Sequence, residues 1–427
     1  SAASDVYKRQ VSEGVFYTIK AWTVLPNGVA DIQNANDTTE ITGCGALRGI
    51  YTVGGVGADF IDITTLGNVL SACGIDSTTI ININPGFYAE RLILDHVPGT
   101  NDTTTLTING GSVDSVTLSN DLFSVVYMNG THYTTVKNIR MEGTGTVDCY
   151  GVQMRDSASY NVIDSCLIVL DDSTTNLQDV VGVNTSDIET ADTQEGKNAY
   201  WNTVSNNTII GGELGIRFEG QQVNRNIGNS FINNTLLNQE DYGIYVDDQD
   251  SITIVGNSVT GLRNTNADGI YLFDIQMFNV SENNVVSAPD WALYIADGNF
   301  SLDGTPTSRG KVINNMLSSQ SDYAGYFDDI ELTDIYHNTF ASNGSGALEA
   351  FRINDYVGLD IRNNIFYSAG SFAFTADELL TASGAVMDFN SFFTVSGANL
   401  IDDGPNLYTD LVSWQVAQPS FNANSCL

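Results

Sequence analysis

The sequence predicts an all-β chain wound as a single-stranded right-handed parallel β-helix, and three observations carry that prediction. A strand-like segment recurs along most of the chain, opening at Gly151, Gly182, Gly215, Gly243, Gly269, Ala292, Ala324 and Ala350, with spacings of 23 to 33 residues. Within each copy apolar residues alternate at period two, as in Ile244 and Val246, which is the mark of a strand with one buried face. Each copy then reaches a second strand that ends at an Asn: Asn207, Asn234, Asn257, Asn284, Asn315, Asn338 and Asn364, with Asn390 in a degenerate last coil and Ser165 in an earlier one. Helical repeats would need a period of 3.6, and propeller blades are longer, at roughly 40 residues or more. Variable spacing then means loops inserted at the turns, the longest around Asp171–Asn198 and Asn299–Arg309.

Composition agrees. The 427 residues include 40 Gly but only 7 Pro, and many are β-branched, which favours short strands and frequent turns. Asp and Glu number 51 against 16 Lys and Arg, a formal charge of -35. That balance excludes a nucleic-acid partner, because the chain would repel phosphate. Anionic polysaccharide would be repelled too unless cations intervene. No apolar run is long enough to span a bilayer.

Taken in order, residues 1–10 (SAASDVYKRQ) resemble translated sequencing-adapter sequence and are expected to be a non-native leader, with the native N-terminus and any export signal beyond them. Residues 11–42 read as two strands around Pro26-Asn27-Gly28. Their NGVAD…NDT run resembles the last hairpin of an Ig-like domain of the CARDB type, which implies a fragment of a larger multidomain protein. The helix expected around Ile61–Ala72 would cap the open end of a solenoid spanning residues 43–395, whose first coil otherwise exposes its apolar interior. The Tyr51-Thr52-Val53-Gly54-Gly55 strand, that helix and Pro85-Gly86-Phe87-Tyr88 together resemble the opening segment of secreted Bacteroidetes-type β-helix proteins of the pectin-lyase-like superfamily. Residues 396–427 leave the repeat, and their Tyr…Leu…Trp segment resembles the C-terminal region of such proteins, where one more closing strand follows; truncation is expected.

The cysteines are Cys44, Cys73, Cys149, Cys166 and Cys426, without CxxC spacing, so a zinc site is not indicated. Cys44 and Cys73 could form a disulfide, Cys149 and Cys166 could sit on neighbouring coils, and each could equally be a free thiol.

Stacking of coils about 4.8 Å apart turns equal positions into columns. The Asn column reads as structural, since inward Asn side chains hydrogen-bond the backbone and each other. Five positions after the opening residue stand Asp156, Asp187, Gly220, Asp248, Asp274, Asp297, Asp329 and Asp355. One reading is a repeated Asx-turn. The other is Ca²⁺ held by Asp248, Asp274, Asp297 and Asp329, since stacked carboxylates repel by roughly 1 kcal/mol per pair even when solvated and Ca²⁺ favours carboxylate oxygens. Two positions after the opening residue stand Gln153, Asn184, Arg217, Tyr245, Tyr271, Tyr294, Tyr326 and Arg352, with Trp291 beside them. The four Tyr between two Arg suit sugar rings and carboxylates. They could instead be a ladder that stiffens the sheet.

No catalytic motif stands out. The pectin-lyase-like resemblance implies a base beside bound calcium, and the nearest candidates are Arg217 with Glu219, beside Asp248, and Arg352 with Asp355. The Gly-His-Gly of polygalacturonases is missing, and His96, His132 and His337 are far apart in sequence. The expected function is a secreted or cell-surface module that binds a polysaccharide or cell-surface glycan, or an adhesin-like stalk. The alternative is a calcium-assisted polysaccharide lyase or hydrolase.

Overall fold

The computed structural model describes residues 11–22, 38–188, 199–299, 308–344, 349–377, 383–395, 399–419 and 421–427. Residues 1–10, expected to be a leader, the Pro26-Asn27-Gly28 turn and parts of both long loops lie outside them.

The chain is an all-β parallel solenoid. Each coil contributes three strands, not the two read from the pattern, and these build three sheets. One coil illustrates the order. Tyr242–Asp250 lies in sheet A, Thr253–Val255 in sheet B and Ser258–Thr260 in sheet C. The next coil returns to sheet A at Asp268–Gln276. Among the described residues sheet B holds 13 strands, sheet C 12 and sheet A 14. The strands of sheets B and C here each present a single buried residue, Ile254 and Val259, and only the first is marked in the sequence, by the Asn that closes it.

Register follows the columns. Arg217 pairs with Tyr245, Tyr245 with Tyr271, Tyr271 with Tyr294, Tyr294 with Tyr326, and Tyr326 with Arg352. Inward, Ile216, Ile244 and Ile270 stack on one another at 0% exposure. Burying each such side chain is worth about 1.5–3 kcal/mol. The opening glycines also face inward. A Cβ on Gly243 would lie 2.5 Å from the Gly269 carbonyl oxygen and 2.5 Å from Val259 of sheet C, so the small residue sets how closely sheets A and C approach.

The Asp column occupies a left-handed bend. Asp248, Asp274, Asp297, Asp329 and Asp355 have φ between 40° and 52°. The bend does not end the leading strand, which runs on through Asp248 to Asp250. Asp tolerates this conformation better than most residues, which accounts for its recurrence there.

Between sheets B and C runs a buried amide ladder. Asn207, Asn234, Asn257, Asn283, Asn315, Asn338, Asn364 and Asn390 each accept on Oδ1 from the backbone N–H of the preceding coil. Two members of the expected column are corrected. The ladder residue is Asn283, and Asn284 is an exposed strand opener. In the earlier coil it is Cys166, while Ser165 takes the left-handed position before it. That left-handed position is itself often Asn, as at Asn206 and Asn233, which produces Asn-Asn doublets. In the Asn283 coil Glu282 takes it, so the doublet there is shifted by one. A second amide ladder runs parallel to the first. Asn161, Asn202 and Asn229 do the same work between sheets A and B.

Both ends are covered. The first helix, Ile63–Cys73, starts at Asp62, whose side chain accepts from Thr65 N–H, and buries Leu66 and Leu70 on the first coils. Cys44 and Cys73 are joined in a disulfide that ties this helix to the strand before the solenoid. That strand, Thr38–Cys44, pairs antiparallel with Phe16–Trp22. At the far end a second helix, Leu411–Ala417, places Trp414 at 0% exposure against Phe374 and Phe392. Cys149 and Cys166 are buried thiols, and Cys426 is an exposed one. No helix among the described residues is long and apolar enough to cross a membrane.

Candidate functional site

The outer face of sheet A carries three neighbouring columns across its central coils. The middle one is the Tyr column with its terminal Arg residues. Before it, at the start of each strand, stand Leu214, Tyr242, Asp268, Trp291, Tyr323 and Glu349. After it stand Glu219, Asp247, Phe273, Ala296, Asp328 and Asn354. Reading the sequence along one column singled out Trp291 but missed Tyr242, Tyr323 and every carboxylate except Glu219. The signal was available one residue before and four residues after each opening position.

The rings form one continuous cluster. Tyr245 and Tyr271 stack at 5.3 Å with planes 4° apart, and Tyr271 and Tyr294 at 4.7 Å. Trp291 stacks on Tyr294 at 4.6 Å, and Tyr326 meets Tyr294 edge-on. Tyr242 and Tyr323 flank this row from the side. Arg217 closes one end, 5.0 Å from the Tyr245 centroid, and Arg352 the other, 6.0 Å from Tyr326. Stacking along the axis turns ring faces toward each other. What the ribbon offers outward is therefore ring edges and phenolic hydroxyls.

Two banks of carboxylates flank it. On one side Arg217 pairs with Glu219, whose neighbour in the next coil is Asp247. Burial, then the Glu219 charge, pushes Asp247 up to about 7. Behind it burial, and after it the adjoining Asp274, raise Asp248 to about 8. Arg225, from the loop after Glu219, pairs with Asp274. On the other side burial pushes Asp268 up to about 8, although it accepts from Trp291 N–H at 3.0 Å. Burial and the nearby Asp322 raise Asp290 to about 6. Burial raises Glu349 to about 6 despite Arg352 3.6 Å away. At neutral pH the raised Asp248 and Asp268 favour the protonated form, in which a carboxyl can donate as well as accept hydrogen bonds.

The predicted site residues separate into groups. Arg217, Glu219, Tyr245, Tyr271, Tyr294, Tyr326 and Arg352 share one face. Arg352 bonds Asn354 and Glu349, whereas the expected partner Asp355 turns elsewhere. Of the expected calcium ligands, Asp274 is paired with the Arg225 guanidinium, and Asp248 stands next to it in the column. Asp297 lies between them and Asp329 in the column. Asp329 gathers with Asp328 and Asp355, their carboxylate oxygens within 4.8 Å of one another. That span matches two Ca²⁺–oxygen bonds of about 2.4 Å.

No protein-family model matches this sequence, and no curated protein is similar to it in sequence. Solved structures similar in shape define the class as a parallel β-helix. The Azotobacter vinelandii mannuronan C-5 epimerase AlgE6 A-module superposes with a TM-score of 0.50 at 11% identity, covering 86% of this chain and 93% of that one. The Streptococcus pneumoniae surface protein and adhesin PfbA gives a TM-score of 0.46 at 11% identity, over 73% and 94%. An alginate lyase from Paenibacillus sp. gives 0.40 at 13% identity, over 83% and 98%. At such identities the likeness establishes the fold alone.

Proposed function

We propose that this chain is an extracellular glycan-binding β-helix module, with its ligand lying along the aromatic ribbon of sheet A. The observation that supports it is the half-buried row of Tyr245, Tyr271, Tyr294 and Tyr326 with Trp291, lying between two banks of protonatable carboxylates. The phenolic hydroxyls along the ribbon and the carboxylic acids beside it meet the oxygens of a sugar chain. Arg217 and Arg352 at the two ends suit carboxylate groups if the glycan carries them. The Cys44–Cys73 disulfide fits an oxidising compartment, and with it a secreted or cell-surface setting within a larger protein.

Native gels cast with neutral and uronate polysaccharides test this. Retardation is expected to weaken roughly tenfold in affinity for Tyr271→Ala and again for Tyr294→Ala. Unchanged migration by variants that melt like the parent would make the stack a structural ladder only.

The second reading, a lyase or hydrolase, draws on one observation: Asp247, raised to about 7, stands beside the Arg217–Glu219 pair as a general acid would. It requires unsaturated product or new reducing ends from a polysaccharide panel, lost in Asp247→Asn. Flat traces from the parent protein count against it. Asp328, Asp329 and Asp355 would hold calcium in either case, and the ion would neutralise an approaching uronate. Millimolar Ca²⁺ is then expected to raise the melting midpoint of the parent, with the increment lost in Asp329→Asn. A midpoint indifferent to Ca²⁺ removes the cation from the scheme.

A further inference from the structure

The corner between sheets A and B holds a second group of aromatic residues, sharing no residue with the ribbon. In successive coils Tyr133, Tyr160, Trp201, Gly228, Ser251 and Met277 occupy the same left-handed position, with φ between 48° and 73°. Each donates its backbone N–H to the chain of the next coil, as Tyr133 does to Ser159 and Tyr160 to Tyr200. Gly and Ser serve this bend at low cost. A bulky aromatic there is a conformational outlier, and here three consecutive coils carry one. The residues that follow, Thr134, Asn161 and Asn202, belong to the second amide ladder, which holds the bend in place.

Tyr133 and Tyr160 line a cavity of about 580 Å³ with His132, Ser157, Ser159 and Tyr200, and Trp201 follows Tyr200 directly in the chain. Tyr133 and Tyr160 stack at 4.7 Å with planes 1° apart. Tyr160 remains 43% exposed and Trp201 50% exposed. The Trp201 indole lies over Gly228, where a Cβ would come within 2.3 Å of the ring. Among the described residues, no ring stacks on the face of Tyr160 turned away from Tyr133. The corner thus offers open aromatic faces, whereas the ribbon offers edges.

We infer that this corner is a separate binding site for an uncharged sugar ring, which stacks on Tyr160 and Trp201 and is oriented by the surrounding hydroxyls. Open aromatic faces match the C–H face of a pyranose. Tyr and Ser hydroxyls and the His132 ring supply donors and acceptors for its edge. None of the lining residues is Asp, Glu, Lys or Arg, so the lining offers no counter-charge for an ionic ligand. The overall charge of -35 turns phosphate-bearing ligands away.

The test is affinity electrophoresis of the full chain at pH 7 in gels containing laminarin, glucomannan, galactan or soluble starch, with polygalacturonate as the anionic comparison. At least one neutral polysaccharide is expected to retard the protein. The Tyr160→Ala/Trp201→Ala double variant is expected to lose that retardation at least tenfold, while Tyr271→Ala/Tyr294→Ala keeps it. Tyr160→Gly separates binding from folding. Glycine relieves the left-handed bend, so this variant is expected to melt no lower than the parent and still bind weakly. Absence of retardation by every neutral polysaccharide overturns the inference. So does retardation that survives the corner variants, or that only the ribbon variants abolish; the last outcome leaves the ribbon proposal standing.

Discussion

Asn257→Ala is expected to destabilise the solenoid by about 4 kcal/mol. Asn257 is 1% exposed and engaged on every side. Its Nδ2 donates to Phe231 O at 2.9 Å and to Asn283 Oδ1 at 3.0 Å. Its Oδ1 accepts from Asn234 N at 3.0 Å and Asn234 Nδ2 at 2.9 Å. Truncation removes the acceptor of the Asn234 N–H and a donor to the Phe231 carbonyl, while Asn234 Nδ2 keeps the Val204 carbonyl, and each buried group so left costs about 1–3 kcal/mol. Part of the loss is recovered by relaxation, hence the middle of the range. Asn284→Ala is the control. It sits at the opening of an exposed strand, and its backbone N–H bond to Asn257 O survives the change, so its effect should stay within about 0.5 kcal/mol. Equal melting of the two variants would refute the assignment of the ladder to Asn283 rather than Asn284.

The second large effect is on pH dependence. Asp248 and Asp268 are raised to about 8, Asp247 and Glu213 to about 7, and Asp290 and Glu349 to about 6. Burial is the leading cause in every case. The unfolded chain titrates these groups near 4, so between that pH and the folded values the native state binds more protons. Their stabilisation is therefore fully present below about 4 and is lost as pH rises through 6 to 8. Asp171 works in the opposite sense. Hydrogen bonds from Ser173 and Thr174 hold it at about 2, and its contribution fades below the normal carboxylate range. The melting midpoint, measured with a chelator present, is expected to be highest near pH 5 and several degrees lower at pH 9. Asp268→Asn should flatten part of that slope, because the neutral amide keeps an acceptor for Trp291 N–H. A midpoint that rises from pH 5 to pH 9 would show that these carboxylates are ionised in the folded chain.

The sequence carried some columns well and others poorly. The Tyr column was legible because period-two alternation fixes which strand residues face outward, and a shared turn fixes their register. The calcium reading of the Asp column was harder to separate from its conformational one. Asp satisfies a left-handed bend and binds cations with the same short carboxylate, and Arg225, which pairs with Asp274, comes from a loop outside the repeat.

By itself the sequence determined the solenoid, its capping helix and the outward identity of Tyr245, Tyr271, Tyr294 and Tyr326, since these follow from short-range periodicity repeated along the chain. Only the tertiary structure decided the third strand, the shift from Asn284 to Asn283, and the orientation of the rings. A strand with one buried residue carries almost no pattern unless a marker such as the ladder Asn closes it, and the sheet C strand has none. A one-residue shift depends on which residue accepts the left-handed bend. Whether stacked aromatics turn faces or edges to solvent depends on the spacing between coils, which no single segment encodes.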